Sequence, residues 1–355
     1  MLLTIFTSIE KTETLNACKE FLKILIFYFL IISLITNRKR FIAFIAVYCL
    51  MIGKIAFDAF KSYFSGSYVT TMGIDRIFGQ TSAGGDPNSL AATMAITIPI
   101  VIASAIYFRN VISKTSLYVL GASMTILIAI TGSRGGLLAF SGILLGGLIY
   151  TRHKSIAILA GVVLLVGSWF LLPDQYQDRY RTMVDVEDAN ETSSGRIVIW
   201  TAGVKMIADK PLLGIGAGAF AWATGRGNYG TRKYVQAHNL LIQLTATTGF
   251  IGLAVWLSFL FNFLTRLRKL ARRARDDYKY RWVSLYSKAF VVSLIALFVA
   301  GLFGHNLYRY NWYMMAALTV AMTNIIQNKE LLEEATGDES NNIDSIEATE
   351  KKLEA

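Results

Sequence analysis

Three places in the sequence set residues capable of polar chemistry against apolar surroundings. Arg134 stands in "TGSRGG", between two apolar stretches. Arg196 and Trp200 are four residues apart in "GRIVIWTAG", a spacing that puts both on one face of a helix. His238 and Asn239 precede a long apolar run in "AHNLLIQL", with Arg232 and Lys233 a few residues upstream. A guanidinium grips phosphates and carboxylates through a planar fork of donors, and an imidazole titrates near neutrality and takes up protons. These residue types describe anion binding beside a general base. Each also has a plainer use, the arginine stacked on a surface indole and the histidine ending a helix.

The elements that must position them are membrane helices. The 355-residue chain is 54% hydrophobic and 17% charged, with a mean hydropathy of +0.46, too apolar for a water-soluble core. The expected fold is all-α, a polytopic integral membrane protein of about nine transmembrane helices, since a span needs roughly 20 apolar residues. The candidate spans run approximately Phe21–Thr36, Phe41–Phe57, Leu90–Phe108, Leu117–Thr131, Leu137–Tyr150, Ile156–Leu172, Leu240–Phe263, Val283–Phe303 and Trp312–Ile326. Gly132, Gly135 and Gly136 favour a turn at Arg134 rather than one fused helix. The chain divides into N-terminal membrane helices over 1–172, a long loop over 173–239, C-terminal membrane helices over 240–326 and an acidic tail over 327–355. The tail reads as disordered.

Basic residues cluster at alternate connections: Arg38 to Arg40, Arg109 and Lys114, Arg152 and Lys154, and the run from Arg266 to Arg281. The positive-inside tendency places these on the cytoplasmic side, and the loop over 173–239, with Arg134, on the external side. Within that loop Ile197, Trp200, Val204 and Ile207 recur at helical spacing, which predicts an amphipathic helix capped at Ser193 or Ser194 and ended before Pro211. This orientation also puts Met1 outside. Either a segment upstream carries it across or a short tail crosses unaided.

Other chemistries find little support. Gly214, Gly216 and Gly218 form GxGxG after a helix and a proline, without a preceding strand or a phosphate-loop lysine, so a tight return of backbone toward the membrane is expected there. His153, His238 and His305 are too dispersed for a metal set, Cys18 and Cys49 lack CxxC spacing, and no GxSxG or HExxH occurs. No cofactor or metal is expected, and no nucleic-acid-binding module accompanies the basic charge.

Taken in order, "GGDPNSLA", "TGSRGG", "GRIVIWTAGVKMIADKPLLGIGAGAF" and "AHNLLIQLTATTGFIGL" resemble the O-antigen ligase family. That family also takes in related polysaccharide polymerases and protein O-oligosaccharyltransferases of bacterial envelopes. The resemblance covers most of the chain and implies a metal-independent glycosyltransferase of the bacterial inner membrane, active on its periplasmic face. It implies an undecaprenyl-pyrophosphate-linked glycan as donor and, as acceptor, lipid A core, a growing glycan or a protein. Carried over by motif, Arg134 and Arg196 would bind the pyrophosphate and His238 would be catalytic, supported by Trp200, Arg232 and Asn239. This chain is shorter at its N-terminus than is usual in the family. The rival from another class is a solute or anion transporter, which would place charge near the membrane midplane; the spans here are nearly free of it, with Lys54 and Asp58 close to a span end.

Overall fold

The computed structural model describes residues 1–71, 74–79, 85–151, 154–155, 159, 177, 189–275, 277–304 and 306–328. They build an all-helical membrane protein. The ten helices named here are α1 (Lys11–Leu34), α2 (Arg38–Phe64), α3 (Pro87–Tyr107), α4 (Val111–Ile130), α5 (Arg134–Leu148), α6 (Ala189–Asp209), α7 (Phe220–Gly225), α8 (Leu240–Arg273), α9 (Arg281–Leu302) and α10 over 310–328. One small antiparallel hairpin, β1 (Val69–Thr71) with β2 (Ile74–Arg76), follows α2.

Five of the described helices are long and apolar enough to cross a membrane: α2, α3, α4, α8, and α9 with its 3-10 lead from Tyr278. The apolar α5 has 15 residues. The 24-residue α1 carries Lys11, Glu13, Lys19 and Glu20 in its first half and Lys23 just beyond it. The expected span over Ile156–Leu172 apart from Leu159, the acidic tail after residue 328, His153 and His305 lie outside the described residues.

Local sequence sets the helix starts. Asp86 caps α3, accepting from the N–H groups of Asn88 and Ser89 at 2.9 and 3.1 Å, with Pro87 at the first helical position. Asn37, Ser133 and Asn239 cap α2, α5 and α8 in the same way. Helix α3 is apolar on every face, and accordingly sits at the centre, packed by α4, α5 and α9.

The two ends of the bundle differ. At one, Arg38 Nε donates to the Tyr107 hydroxyl at 3.1 Å and an Arg109 guanidinium nitrogen to the Tyr278 hydroxyl at 3.0 Å, which joins the basic connections before α2, after α3 and before α9. At the other end lie the starts of α3, α5 and α8 and the end of α9. A second, smaller hydrophobic cluster stands apart from the bundle core there. It is built from Ala202 and Met206 of α6, Ile215 and Ala219 of the following turn, Phe220 and Ala223 of α7, Ala237, and Ala246 of α8.

Candidate functional site

Arg134 is the first residue of α5. The reversal from α4 uses Gly132 at φ 59, a left-handed value that suits glycine. Ser133 accepts the Gly136 N–H at 3.1 Å. Gly136 permits α5 to lie against α3, because a Cβ there would come 2.5 Å from the Ala91 Cβ. A helix N-terminus is a positive pole that favours anions, yet the first turn of α5 holds no acid, and Arg134 adds a further positive charge. Such a pole suits an arriving phosphate.

Arg196 lies in α6, one turn before Trp200. Burial lowers the pKa of Arg196, and the charge of Arg134 lowers it further, so guanidinium groups from two distant segments are electrostatic neighbours. The helix begins at Ala189, not at a cap on Ser193 or Ser194. Those serines lie within it, and Arg196 is about two turns from its start. The helix N-terminus that lies beside a guanidinium is therefore that of α5, at Arg134, and not that of α6.

His238 has a backbone φ of 48°, a left-handed conformation that costs a non-glycine residue on the order of 1–3 kcal/mol and persists only where neighbours enforce it. Its neighbours do so. The indole of Trp200 donates to the Ala237 carbonyl at 2.9 Å, and the Ala237 N–H donates to Gln243 Oε1 at 2.8 Å. Asn239 accepts from the N–H groups of Leu241 and Ile242 and donates through Nδ2 to the Leu302 carbonyl at 3.2 Å. The pair "HN" thus divides its work: asparagine starts α8 and ties it to α9, and histidine is left facing the site. Protein atoms around the imidazole lower its pKa, Arg196 lowers it further and Asp86 raises it.

Arg232 is exposed and packs its stem beside Gly227, where a Cβ would lie 3.3 Å from the Arg232 Cγ. The cation that acts on His238 is Arg196, and neither Arg232 nor Lys233 is among the charges that shift it.

Three further residues belong to this end of the bundle. Arg76, 4% exposed, donates to the Thr131 carbonyl at 2.7 Å and to Asn88 Oδ1 at 2.9 Å, joining the turn before Arg134 to the start of α3. Arg309, 7% exposed, donates to Thr93 Oγ1 at 3.2 Å and the Ser89 carbonyl at 3.4 Å. Asp86 acts electrostatically on both Arg309 and His238. The sequence signal for the two arginines is slight: each is a single cation on a connection otherwise poor in basic charge.

Fold and site together define an all-helical, multi-pass membrane protein whose cationic cluster gathers at the end of the bundle opposite its basic connections. Residues 117–257, which contain Arg134, Arg196 and His238, match the family model described as O-antigen ligase. The chain is also similar to a protein of Rickettsia bellii (strain RML369-C) named "Putative polysaccharide ligase", with 23% identity over 256 residues, covering 67% of this chain and 58% of that relative. The chain thus spans less than two thirds of the length of the curated relative it matches.

Proposed function

We propose that the chain is a glycosyltransferase of the O-antigen ligase type. It moves a glycan from an undecaprenyl-pyrophosphate carrier to an acceptor hydroxyl at the periplasmic face of the bacterial inner membrane. Lipid A core ranks first as acceptor, then a growing glycan, then a protein. The observation that carries this reading is the convergence of Arg134, Arg196 and His238 from three elements, with the two arginines close enough to repel one another. Like charges brought together at a partly desolvated site suit the binding of an anion.

In this reaction the acceptor oxygen attacks the anomeric carbon and the bond from that carbon to the phosphate oxygen breaks. The bonding pair leaves with the pyrophosphate, where two guanidinium groups and the start of α5 stabilise the gathering negative charge. His238 takes the acceptor proton. Its lowered pKa supports this role, because a base must be neutral before it can act. Direct displacement inverts the anomeric centre.

The test is to incubate the purified full chain in lipid with a defined undecaprenyl-pyrophosphate glycan and, separately, lipid A core, a glycan repeat unit and a protein acceptor. Glycosylation of one acceptor with release of undecaprenyl pyrophosphate supports the reading. Absence of transfer to all three, with donor intact, refutes it.

A further inference from the structure

The glycine run after α6 and the "TTG" within α8 have no part in the chemistry above. Structurally they meet. Helix α8 is broken at Gly249, with φ 67° and ψ −174°, a combination reserved for glycine. The backbone groups released by the break are taken up by the turn over 211–216. The carbonyls of Ala246 and Thr247 accept from the N–H groups of Ile215 and Gly216 at 2.9 and 3.2 Å, and the N–H groups of Phe250 and Ile251 donate to the carbonyls of Pro211 and Leu212 at 2.8 and 3.3 Å. An unsatisfied backbone group in hydrocarbon costs several kcal/mol, so break and turn require each other.

Both partners need glycine. A Cβ on Gly249 would lie 2.1 Å from the Leu212 oxygen, and one on Gly214, itself at φ 70°, would lie 2.5 Å from the Thr247 carbonyl carbon. The approach continues between helices, where a Cβ on Gly203 of α6 would lie 2.4 Å from Ile242 Cγ2. Ile242 and Ala246 in the head of α8 therefore pack with α6 and α7 in the smaller hydrophobic cluster, while Leu240 and Leu244 join the bundle core. The contacts close a ring: α6 through Trp200 to Ala237, Ala237 to Gln243 in the head of α8, the carbonyls of Ala246 and Thr247 to Ile215 and Gly216, and the turn back to α6. His238 follows Ala237 on that ring, and Arg196 lies one turn before Trp200 on the same helix.

We propose that this splice of turn and broken helix is a positioning device for glycan transfer, with Gly214 and Gly249 as the residues that fix the separation between Arg196 and His238. The idea rests on the roles given to those two residues above. A continuous α8 would satisfy its own backbone and leave the 211–216 turn without partners, freeing α6 to shift against the histidine. A misplacement of about 1 Å is enough to cost roughly a hundredfold in rate. The break holds the donor-side cation and the acceptor-side base in one body.

The test uses Gly214→Ala and Gly249→Ala of the full chain in lipid nanodiscs, with Gly147→Ala, whose Cβ meets nothing within 4 Å, as the reference substitution. Nitroxide pairs at Lys205→Cys and Leu257→Cys, in a background lacking Cys18 and Cys49, report the separation of α6 from α8 beyond the break without any need for substrate. Both splice variants are expected to shift or broaden that distance and to lose about a hundredfold in kcat, with a much smaller change in donor half-saturation. The acid limb of their residual activity should rise toward the ordinary histidine range as Arg196 leaves His238. Gly147→Ala should match the unaltered chain in all four. Unchanged distances and unchanged kcat in both splice variants would overturn the proposal. If the distances shift but the unaltered chain transfers no glycan, the reaction assignment fails and the splice does not. Should the splice variants not fold, Gly203→Ala with and without Ile242→Ala probes the same spacing. The single variant should lose kcat and the pair regain it, and failure of that rescue counts against the idea.

Discussion

The indole nitrogen of Trp200 and the carbonyl oxygen of Ala237 are 2.9 Å apart, and through this one hydrogen bond α6 holds the residue that precedes His238. Trp200→Phe keeps the ring and removes the donor. The loss of such a bond, with a buried carbonyl left unsatisfied, costs about 1–3 kcal/mol. Transfer by Trp200→Phe should fall several-fold to a hundredfold while donor-lipid binding is retained. Steady-state kinetics at matched membrane abundance check this, and a change confined to donor affinity would assign Trp200 to the donor side instead.

Arg134→Lys and Arg196→Lys keep the charge and lose the planar fork. Each should lower transfer roughly ten- to a hundredfold, corresponding to about 1.5–3 kcal/mol for a charge-assisted contact. Normal turnover by both variants would remove the pyrophosphate grip from the mechanism.

His238→Ala should lower transfer about a hundred- to ten-thousandfold, the usual range for loss of a general base. His238→Gln separates two roles. An amide can orient a hydroxyl and cannot accept its proton at neutral pH, so substantial activity in the glutamine variant would make His238 a positioning group.

The acid limb of the pH profile carries a signed expectation. Surrounding protein atoms partly desolvate the exposed His238 and, with Arg196, lower its pKa, while Asp86 opposes them. The imidazole therefore stays neutral, and transfer persists, to a pH below the ordinary histidine value. Asp86→Asn preserves the cap on α3 and deletes the one charge that raises the pKa, so the limb should move lower still. A limb that moves upward in this variant contradicts the electrostatic account.

Sidedness is checked by single cysteines. With Cys18 and Cys49 replaced, Lys233→Cys should react with an impermeant maleimide from the periplasmic side and Arg273→Cys should not. The reverse pattern would invert the proposed orientation.

Much of this architecture is written in local sequence. The turn before Arg134 is signalled by Gly132, while Gly135 and Gly136 prove to lie in the helix that follows, and the helix carrying Arg196 and Trp200 shows in its apolar spacing and ends, as Pro211 requires, at Asp209. What was not legible depends on contacts between distant segments. Arg76 reads as an ordinary loop cation until its partners, Thr131 and Asn88, are placed beside it. Asp86 reads as a helix cap and gains its second role only when His238 and Arg309 arrive from two other connections. The start of α6 was misplaced because serines resemble caps wherever they precede an apolar stripe. The break at Gly249 was hidden because a glycine inside a hydrophobic run gives no sign of whether its neighbours can repair the backbone.

The docking of residues 4–9 constrains the order in which the molecule can be finished. Thr7 Oγ1 donates to the Gly214 carbonyl, the Ile9 N–H to the Ile215 carbonyl and the Ala217 N–H to Thr4 Oγ1, while Ile215 is itself held by Ala246. At a synthesis rate of about 5–20 residues per second, roughly ten to fifty seconds separate the appearance of Ile9 from that of Ala246. Thr7 and Ile9 thus wait for partners, and for the partner of those partners, that are translated well after them.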